Sequence, residues 1–332
     1  MNIGVIGLGY WGPNIVRNFR AHPEVEKIYC CDLDFERVKK VMSSYNIECK
    51  KNYNEIINDP CIDAIAIVTP IETHFSIAKE AMLNGKHVLV EKPMTSTLEE
   101  AIELYELSER LNKILMVDHT FLYSEPVIKL KKLYDSGELG DIYYYDSVRI
   151  NLGLFQRKAN VIWDLAPHDF SIMQYILNKR PLSLIAMGAD HVGEGFEDIA
   201  YVHIDFGDNL IAHFHLNWLS PVKVRKLMIS GTKKMAVYDD LEIAEKIKIY
   251  DKGIEFKNSE QIKRLLVNYR IGSIFSPNID NSEALGCVIK NFINSIKGTE
   301  QPKSNGIIGI EVMRLLEATH QSLLGNGKII HL

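Results

Sequence analysis

Three glycines near the start of the chain constrain its fold more than any other feature. The run Gly7-Leu-Gly9-Tyr-Trp-Gly12 follows a short apolar segment, Asn2 to Ile6, and precedes a helical pattern from Asn14 to Ala21. In such a strand–turn–helix the first glycine permits a tight turn, the second lets the backbone approach a pyrophosphate, and the third allows close packing of helix on strand. The free N–H groups at the start of the helix also favour phosphate. We therefore expect a dinucleotide cofactor at Gly7, Gly9, Tyr10, Trp11 and Gly12.

Short apolar runs and helical patterns alternate through the first 120 residues. Ala64 to Val68 is wholly apolar, and the helical pattern from Phe75 to Asn84 ends at Gly85, a residue suited to a left-handed helix cap. Continuous apolar strands that alternate with helices indicate a parallel sheet covered on both faces. We therefore expect a doubly wound α/β Rossmann domain over residues 1–120. Further strands are predicted at Val25 to Cys31, Val88 to Val90 and Leu115 to Val117, and further helices at Phe35 to Tyr45 and Leu98 to Asn112.

The pattern changes beyond about residue 140, where strands follow one another with few helices between them. Gly207-Asp208-Asn209 between two alternating runs is typical of a hairpin. This succession indicates an α+β domain with an open, mostly antiparallel sheet, which we expect over residues 121–332. Long helical patterns follow at Glu283 to Lys297 and Ile307 to Leu324. The predicted strands are Ile142 to Asn151, Leu182 to Ala189, Ile199 to Phe206, Leu210 to Trp218, Lys226 to Ser230, Ala236 to Tyr238 and Lys246 to Tyr250.

Composition excludes several classes of protein. The chain has 332 residues, 46% hydrophobic and 24% charged, as in folded globular proteins. A net charge of −5, from 38 basic and 43 acidic side chains, provides no basic stripe for a nucleic acid. No apolar run approaches the roughly 20 residues that span a bilayer, and no signal-peptide pattern is present, so we expect a cytoplasmic protein without a membrane partner. Five cysteines without C-x-x-C spacing predict neither a disulfide framework nor a structural zinc site.

One carboxylate is placed to select the cofactor. Asp32 stands at the end of the second predicted strand. A carboxylate there accepts hydrogen bonds from the adenosine ribose hydroxyls and repels a 2′-phosphate, so NAD is expected in preference to NADP. Position 33, where an arginine often favours NADP, is occupied by Leu33, which is consistent with NAD. Arg37, one helical turn further on, is a basic residue that could instead favour NADP.

Three further motifs, taken with the glycine loop, resemble one enzyme family. They are Thr69-Pro70-Ile-Glu-Thr-His74, Glu91-Lys92-Pro93 and Asp164-Leu-Ala-Pro-His168. In this order they are similar to the Gfo/Idh/MocA oxidoreductases, and the resemblance covers nearly the whole chain. It implies an NAD(P)-dependent dehydrogenase acting on CH–OH groups, with its site at the carboxyl ends of the parallel strands. It also implies a homo-oligomer, a dimer or a tetramer, formed through the open sheet around Tyr201 to Trp218.

The resemblance also assigns roles to single residues. It places Lys92 at the nicotinamide ribose and the reacting oxygen, and Asp164 and His168 near the substrate. Removal of a hydride from a carbinol carbon requires a base for the hydroxyl proton, and histidine titrates near neutrality. We therefore expect His168 as base, Lys92 as its electrostatic partner and Asp164 as the residue that orients them. Thr69, Pro70, His74 and Glu91 are expected to line the cofactor.

The spacing of Asp164 and His168 has a second interpretation. Residues four apart share one face of a helix, so both side chains could reach one sugar. An Asp and a His at a helix entrance are also common caps, and Pro167 suggests that the helix begins close to it.

Two segments indicate the substrate class. The loop through Tyr10-Trp11-Gly12-Pro13-Asn14 and the segment Asn160-Val-Ile-Trp163 look most like relatives that oxidise C3 of nucleotide-linked amino sugars. We therefore expect UDP-N-acetylglucosamine or its uronate as substrate. A free-sugar or inositol dehydrogenase and a non-catalytic dinucleotide sensor remain open alternatives. Besides Lys92, Asp164 and His168, the candidates for substrate contact are His119, Tyr123, Arg149, Asn151, Gln156, Arg157 and Asn160, each of which could instead serve packing or loop hydrogen bonding.

Four side chains along the predicted hairpin could share a sheet face as metal ligands would. They are His203, Asp205, His213 and His215. One hairpin rarely supplies a complete metal site, so no metal is expected.

Overall fold

The chain divides into two compact units. The computed structural model describes residues 1–153, 159–255, 268–280 and 282–332. The first unit is Met1–Ser124 with Ser282–Arg314, and the second is Glu125–Asn281 with Leu315–Leu332. The chain first crosses between units close to residue 120. The division expected from the sequence, 1–120 and 121–332, did not include the return of residues 282–314 to the first unit.

A parallel sheet organises the first unit. Its strands are β1 (Asn2–Ile6), β2 (Lys27–Cys31), β3 (Glu48–Cys49), β4 (Ala64–Ile67), β5 (His87–Val90) and β6 (Leu115–Val117). Their order is β3-β2-β1-β4-β5-β6, and every neighbouring pair is parallel. The order reverses between β1 and β4, and open α/β sheets bind ligands beyond the carboxyl ends of strands at such a point. The predicted Rossmann fold is confirmed.

Local sequence explains where the helices of this sheet begin. Asp34 caps its helix by accepting from the N–H of Glu36, and Thr97 forms a reciprocal capping box with Glu100. The small apolar residues of β4 are fully buried, as expected of a strand covered on both faces. The helices are α1 (Gly12–Ala21), α2 (Phe35–Ser44), α3 (Tyr53–Ile57), α4 (His74–Leu83) and α5 (Leu98–Leu111), with single 3₁₀ turns at Ile71–Thr73 and Thr120–Tyr123.

A large, mostly antiparallel sheet organises the second unit. Its strands are β7 (Ile142–Leu152), β8 (Ser183–Ala189), β9 (Ile199–Asp205), β10 (Ile211–Asn217), β11 (Leu219–Gly231), β12 (Met235–Asp239), β13 (Ile247–Glu255), β14 (Asn268–Phe275) and β15 (Ile330–His331). Their order is β14-β13-β12-β11-β7-β10-β9-β8-β15. Within the described part of this second sheet, the β7–β10 pairing is the only parallel one. Gly207, Asp208 and Asn209 all adopt positive φ between β9 and β10, which confirms the predicted hairpin.

Among the described residues, two helices belong to the second unit alone, α6 (Glu125–Asp135) and α7 (Val161–Leu177). The longer, α7, packs against β7, β9 and β10. Asn160 caps it by accepting from the N–H groups of Ile162 and Trp163. Pro167 therefore lies well inside the helix, and the expectation that the helix begins near this proline is wrong.

Two helices lie between β14 and β15 in the chain, α8 (Ala284–Ile296) and α9 (Gly306–Leu324). The first completes the N-terminal unit, because it packs on α1 and on the turn Thr120–Tyr123. Phe292 meets Phe19 edge to face, with 6.4 Å between ring centroids. The division between units passes through α9. In the described part of the chain no helix is both long enough and apolar enough to cross a bilayer.

Candidate functional site

The three glycines of the loop between β1 and α1 differ in how strictly the fold itself requires a residue without a Cβ. Gly7 has φ of +97°, and an added Cβ would lie 2.4 Å from the carbonyl oxygen of Val68. A Cβ on Gly12 would lie 2.3 Å from the carbonyl oxygen of Gly7. A Cβ on Gly9 would meet only the Arg37 guanidinium, at 3.7 Å. Gly7 and Gly12 are therefore required by the fold, whereas Gly9 leaves open space. This loop at the N-terminus of α1 fits a dinucleotide pyrophosphate.

Asp32 is held in place at the end of β2. Its Oδ2 accepts from the N–H of Leu8 at 2.6 Å, and its Oδ1 accepts from the N–H of Asp34 at 2.8 Å. The Arg37 guanidinium lies 3.8 Å from Asp32 Oδ2 and 3.4 Å from Asp34 Oδ2. Leu33 is fully exposed beside it. The carboxylate is thus fixed where a ribose diol binds in this fold, with one arginine beside it.

A buried network lies beyond the ends of β5 and β6. The indole N–H of Trp11 donates to Oδ2 of Asp118 at 3.0 Å, and the hydroxyl of Thr120 donates to Oδ1 at 2.7 Å. Burial raises the pKa of Glu91 well above its ordinary value, and the Asp118 carboxylate raises it further. The buried Oε1 of Glu91 has no donor among the described residues. Burial and the charge of Asp118 thus both favour the protonated form of Glu91.

Lys92 follows Glu91 in this network, and its backbone N–H donates to Glu91 Oε2 at 3.1 Å. The peptide bond between Lys92 and Pro93 is cis. His119 is 1% exposed, and burial, followed by the charge of Lys92, lowers its pKa to about 3. The imidazole of His119 is thus neutral at physiological pH, and its low pKa makes it a weak proton acceptor.

His74 joins the segments that follow β4 and β5. One ring nitrogen lies 2.8 Å from the carbonyl oxygen of Thr69, and the other lies 2.9 Å from that of Pro93. Burial lowers the pKa of His74, although both carbonyl groups act to raise it. The side chain of His74 therefore positions the Thr69-Pro70 and Lys92-Pro93 segments around the expected cofactor.

Tyr123 serves packing inside the first unit. Its hydroxyl donates to Oδ1 of Asn291 at 2.9 Å and accepts from the N–H of Ser304 at 3.1 Å. Since the side chain is 2% exposed, we assign it no ligand contact.

In the second unit, Asp164 and His168 lie on one face of α7. Both side chains are half-buried. The indole N–H of Trp218 donates to Asp164 Oδ2 at 3.1 Å, an interaction that no local sequence signal indicates. Asn160 is committed to its cap, and its amide also donates to Glu197 Oε2 at 2.8 Å. Both ends of the Asn160 side-chain amide are therefore engaged in contacts within the protein, which account for the residue without a substrate.

The remaining predicted substrate residues fall into two groups. Asn151 is half-buried on β7, on the same face as Arg149, two positions before it. Arg149 itself is buried against Asp169 and has no free guanidinium to offer a sugar. Gln156 and Arg157 lie outside the described residues.

Two of the three histidines of the hairpin, His213 and His215, stack on Tyr201. His203 pairs opposite His213 across β9 and β10, and Tyr201 pairs opposite His215. The Tyr201 ring centroid lies 4.4 Å from that of His215 and 6.0 Å from that of His213. Within the described ranges, no group of three or more His, Cys, Asp or Glu side chains is arranged to hold a metal ion.

Two family models match the chain. Residues 1–119 match the model described as oxidoreductase family, NAD-binding Rossmann fold. Residues 127–237 match the GFO/IDH/MocA C-terminal domain. The first match identifies an NAD-binding domain, as expected from Asp32 and the glycine loop.

Individual relatives carry more specific names. The scyllo-inositol 2-dehydrogenase (NAD(+)) of Bacillus subtilis (strain 168) is 27% identical over 217 residues, which are 61% of this chain and 64% of the relative. The UDP-N-acetylglucosamine 3-dehydrogenase of Acidithiobacillus ferrooxidans is 24% identical over 318 residues, 94% of each chain. A solved structure of that enzyme, GnnA, superposes with a TM-score of 0.83 over 98% of both chains at 22% identity. The match spans about half to two thirds of the length of the first curated relatives.

Proposed function

The chain belongs to the Gfo/Idh/MocA family of oxidoreductases, and we propose that it is an NAD-dependent dehydrogenase that oxidises one CH–OH group of a sugar. We further propose C3 of a UDP-linked N-acetylamino sugar, or of its uronate, as the reacting position. The observation that carries the proposal is the pairing of Asp164 and His168 on one face of α7, with Asp164 fixed by Trp218.

The chain's own residues divide the chemistry among them. His168 takes the hydroxyl proton, since histidine is the side chain most often used as a general base in proton transfer. The ammonium of Lys92 stabilises the negative charge that develops on the same oxygen. Asp164, fixed through Trp218, orients the substrate hydroxyls next to His168. NAD, when bound, accepts the hydride, and Gly9, Asp32 and the N-terminus of α1 hold its adenosine and pyrophosphate.

The nucleotide-sugar substrate has support from one relative. UDP-N-acetylglucosamine 3-dehydrogenase aligns along 94% of this chain, whereas the scyllo-inositol 2-dehydrogenase aligns along 61%. The motif segments around Tyr10 and Asn160 favour the same substrate class. The inositol enzyme supports the second candidate, a free-polyol dehydrogenase with the same Lys92, Asp164 and His168.

Thermal unfolding with a ligand panel tests the substrate class. The protein is melted with NAD or NADP and then with added UDP-N-acetylglucosamine, its uronate, glucose or myo-inositol. A ligand at a hundred times its dissociation constant stabilises the native state by about 2.7 kcal/mol. We expect a further shift with UDP sugars alone. A shift with free polyols alone would replace the nucleotide-sugar proposal by the polyol dehydrogenase.

Turnover with a labelled substrate tests the reaction itself. A UDP sugar carrying deuterium at C3 should transfer that deuterium to the reduced nicotinamide. Binding without any reduction of NAD would instead indicate a dinucleotide sensor.

A further inference from the structure

The helix that carries Asp164 and His168 is interrupted by a proline. Pro167 lies in the interior of α7. It has no N–H to donate to the carbonyl of Trp163, one turn earlier, and its ring crowds that carbonyl. The turn between Asp164 and His168 therefore depends on contacts from outside the helix for its geometry.

On the N-terminal side of the proline, that contact is Trp218. Its indole holds Asp164 and is itself fixed, because it is 1% exposed. A Cβ added to Gly153 would lie 2.4 Å from the indole ring, and the Gly153 N–H donates to the Trp218 carbonyl at 2.8 Å. This side of the helix is therefore tied to the loop after β7.

On the C-terminal side, the contact is a buried fork of hydrogen bonds. Arg149 on β7 donates from Nε to Oδ2 of Asp169 at 2.6 Å and from Nη2 to Oδ1 at 3.0 Å. The hydroxyl of Ser147 adds a third bond to Oδ1 at 3.0 Å. The side chains of Arg149 and Asp169 are only 6% and 4% exposed. A bidentate guanidinium–carboxylate pair fixes direction as well as distance.

Helix geometry links this fork to the proposed base. Asp169 directly follows His168, so the two side chains leave the axis about 100° apart, whereas Asp164 and His168 differ by about 40°. A rotation of α7 that kept its apolar packing but broke the fork would therefore redirect His168. We propose that Arg149 is a positioning residue, whose bond to Asp169 fixes the rotation of α7 on the sheet and thereby the direction of the His168 imidazole. The inference rests on the proposed function in taking His168 as the base.

Stability and positioning are separable at this pair. Replacing a buried ion pair by apolar residues of similar volume is often neutral or stabilising, whereas removing one partner strands a buried charge. The informative variant is therefore the double change R149M/D169L, in which the helix keeps an apolar contact and loses the fork. R149K is its companion, since lysine keeps the charge and cannot form the bidentate bond.

The experiment compares turnover and melting temperature in these variants. We expect R149M/D169L to melt at or above the wild-type temperature, to bind NAD unchanged, and to lose about ten- to a hundredfold in kcat, the cost of a small misplacement of a reacting group. R149K should also have a lower kcat than wild type. The control is K234M/E138L, which removes the partly buried ion pair between Lys234 and Glu138 in the same unit and should leave kcat unchanged. A stable R149M/D169L variant with wild-type kcat would overturn the inference.

A second measurement separates this inference from the proposed function. The His168 imidazole is titrated by NMR in histidine-labelled protein, with H168N identifying its signal. We expect the midpoint of the His168 titration to differ from wild type in R149M/D169L and to match wild type in K234M/E138L. If H168N leaves turnover unchanged, the proposed base is wrong, and the titration alone then decides the positioning role. If the His168 titration in R149M/D169L matches that of wild type, Arg149 does not position His168, whatever the activity of the variant.

Discussion

Trp11 and Asp118 join the glycine loop to the far edge of the first sheet, through an indole N–H that donates to Oδ2 at 3.0 Å. Asp118 accepts this bond through Oδ2 and one from the hydroxyl of Thr120 through Oδ1, and its charge raises the pKa of the neighbouring Glu91. The glycine loop, the Glu91-Lys92-Pro93 segment and the end of β6 are therefore a single electrostatic unit.

The first prediction concerns Glu91, whose pKa is raised in the folded state. Above the unfolded-state pKa of 4.5, folding must take up a proton at this residue, which lowers the free energy of unfolding as pH rises. E91Q supplies a permanent N–H donor to Asp118 and keeps an acceptor for Lys92. We expect E91Q to be more stable than wild type at neutral pH, with the gain shrinking towards pH 4.5 in denaturant unfolding. A pH-independent loss of stability in E91Q would contradict a raised pKa of Glu91 in the folded state.

The second prediction separates the two kinds of glycine in the loop. G7A places a Cβ against the Val68 carbonyl at positive φ, so we expect a loss of about 1–3 kcal/mol in unfolding free energy. G9A has open space and should melt like wild type, but its Cβ blocks close approach of the pyrophosphate, and NAD affinity should fall. Calorimetric NAD binding and thermal melting check both. Wild-type NAD affinity in a folded G9A variant would argue against a pyrophosphate there.

The third prediction concerns cofactor choice at Asp32 and Arg37. In D32S the guanidinium loses one of its two carboxylate neighbours, and the repulsion of a 2′-phosphate is removed. We expect NADP affinity to rise about tenfold or more, the scale of one hydrogen bond to a charged group, while NAD affinity falls. The gain should disappear in D32S/R37A. An equal gain with and without Arg37 would show that relief of repulsion alone is responsible.

The fourth prediction tests the base. H168N should keep NAD binding and lose about a hundred- to ten-thousandfold in turnover, the usual contribution of a general base. H320N, at an exposed histidine of α9, is the matched control and should match wild type. Unchanged turnover in H168N would remove His168 from the mechanism.

The fifth prediction concerns acid stability. His87 accepts from the N–H of Ile114 at 3.0 Å, and burial, with the charge of Lys113, lowers its pKa from 6.5 to about 4. Because its pKa is depressed in the folded state, the stabilisation is complete above pH 6.5 and is lost as pH falls towards 4. H87N keeps an acceptor at the same position and does not titrate. The unfolding free energy of H87N should vary less than that of wild type between pH 6.5 and pH 4. Equal pH dependence in the two proteins would show that His87 does not titrate with a lowered pKa.

Local patterns were sufficient for much of this molecule. The apolar strands β1 and β4, the loop between β1 and α1, and the turn at Gly207 follow from residues adjacent in sequence, and each has the predicted conformation. The NAD-binding domain followed from the glycine motif that the Rossmann turn and its phosphate ligand require, and the family followed from that motif together with the three further ones.

The rest depended on partners distant in sequence. Arg149 resembles a substrate contact until Asp169, on another element, occupies its guanidinium. The bonds of Trp11 to Asp118 and of Trp218 to Asp164 likewise join segments that no periodicity relates. Pro167 was expected to mark a helix start, but the cap at Asn160 sets the start about two turns earlier, by about seven residues.

The return of residues 282–314 to the first unit has a consequence for how the protein is made. A ribosome that has released Ser124 has not yet synthesised α8, whose Asn291 and Phe292 complete the packing of Tyr123 and Phe19. At ordinary elongation rates of about 5–20 residues per second, the nascent Rossmann sheet waits roughly 10–40 seconds for that helix. During this interval an incomplete apolar surface is exposed on the growing chain. The dinucleotide domain thus begins first but is completed only after most of the second unit has been made, and a gene fragment that stops at residue 124 would encode a domain with part of its own core missing.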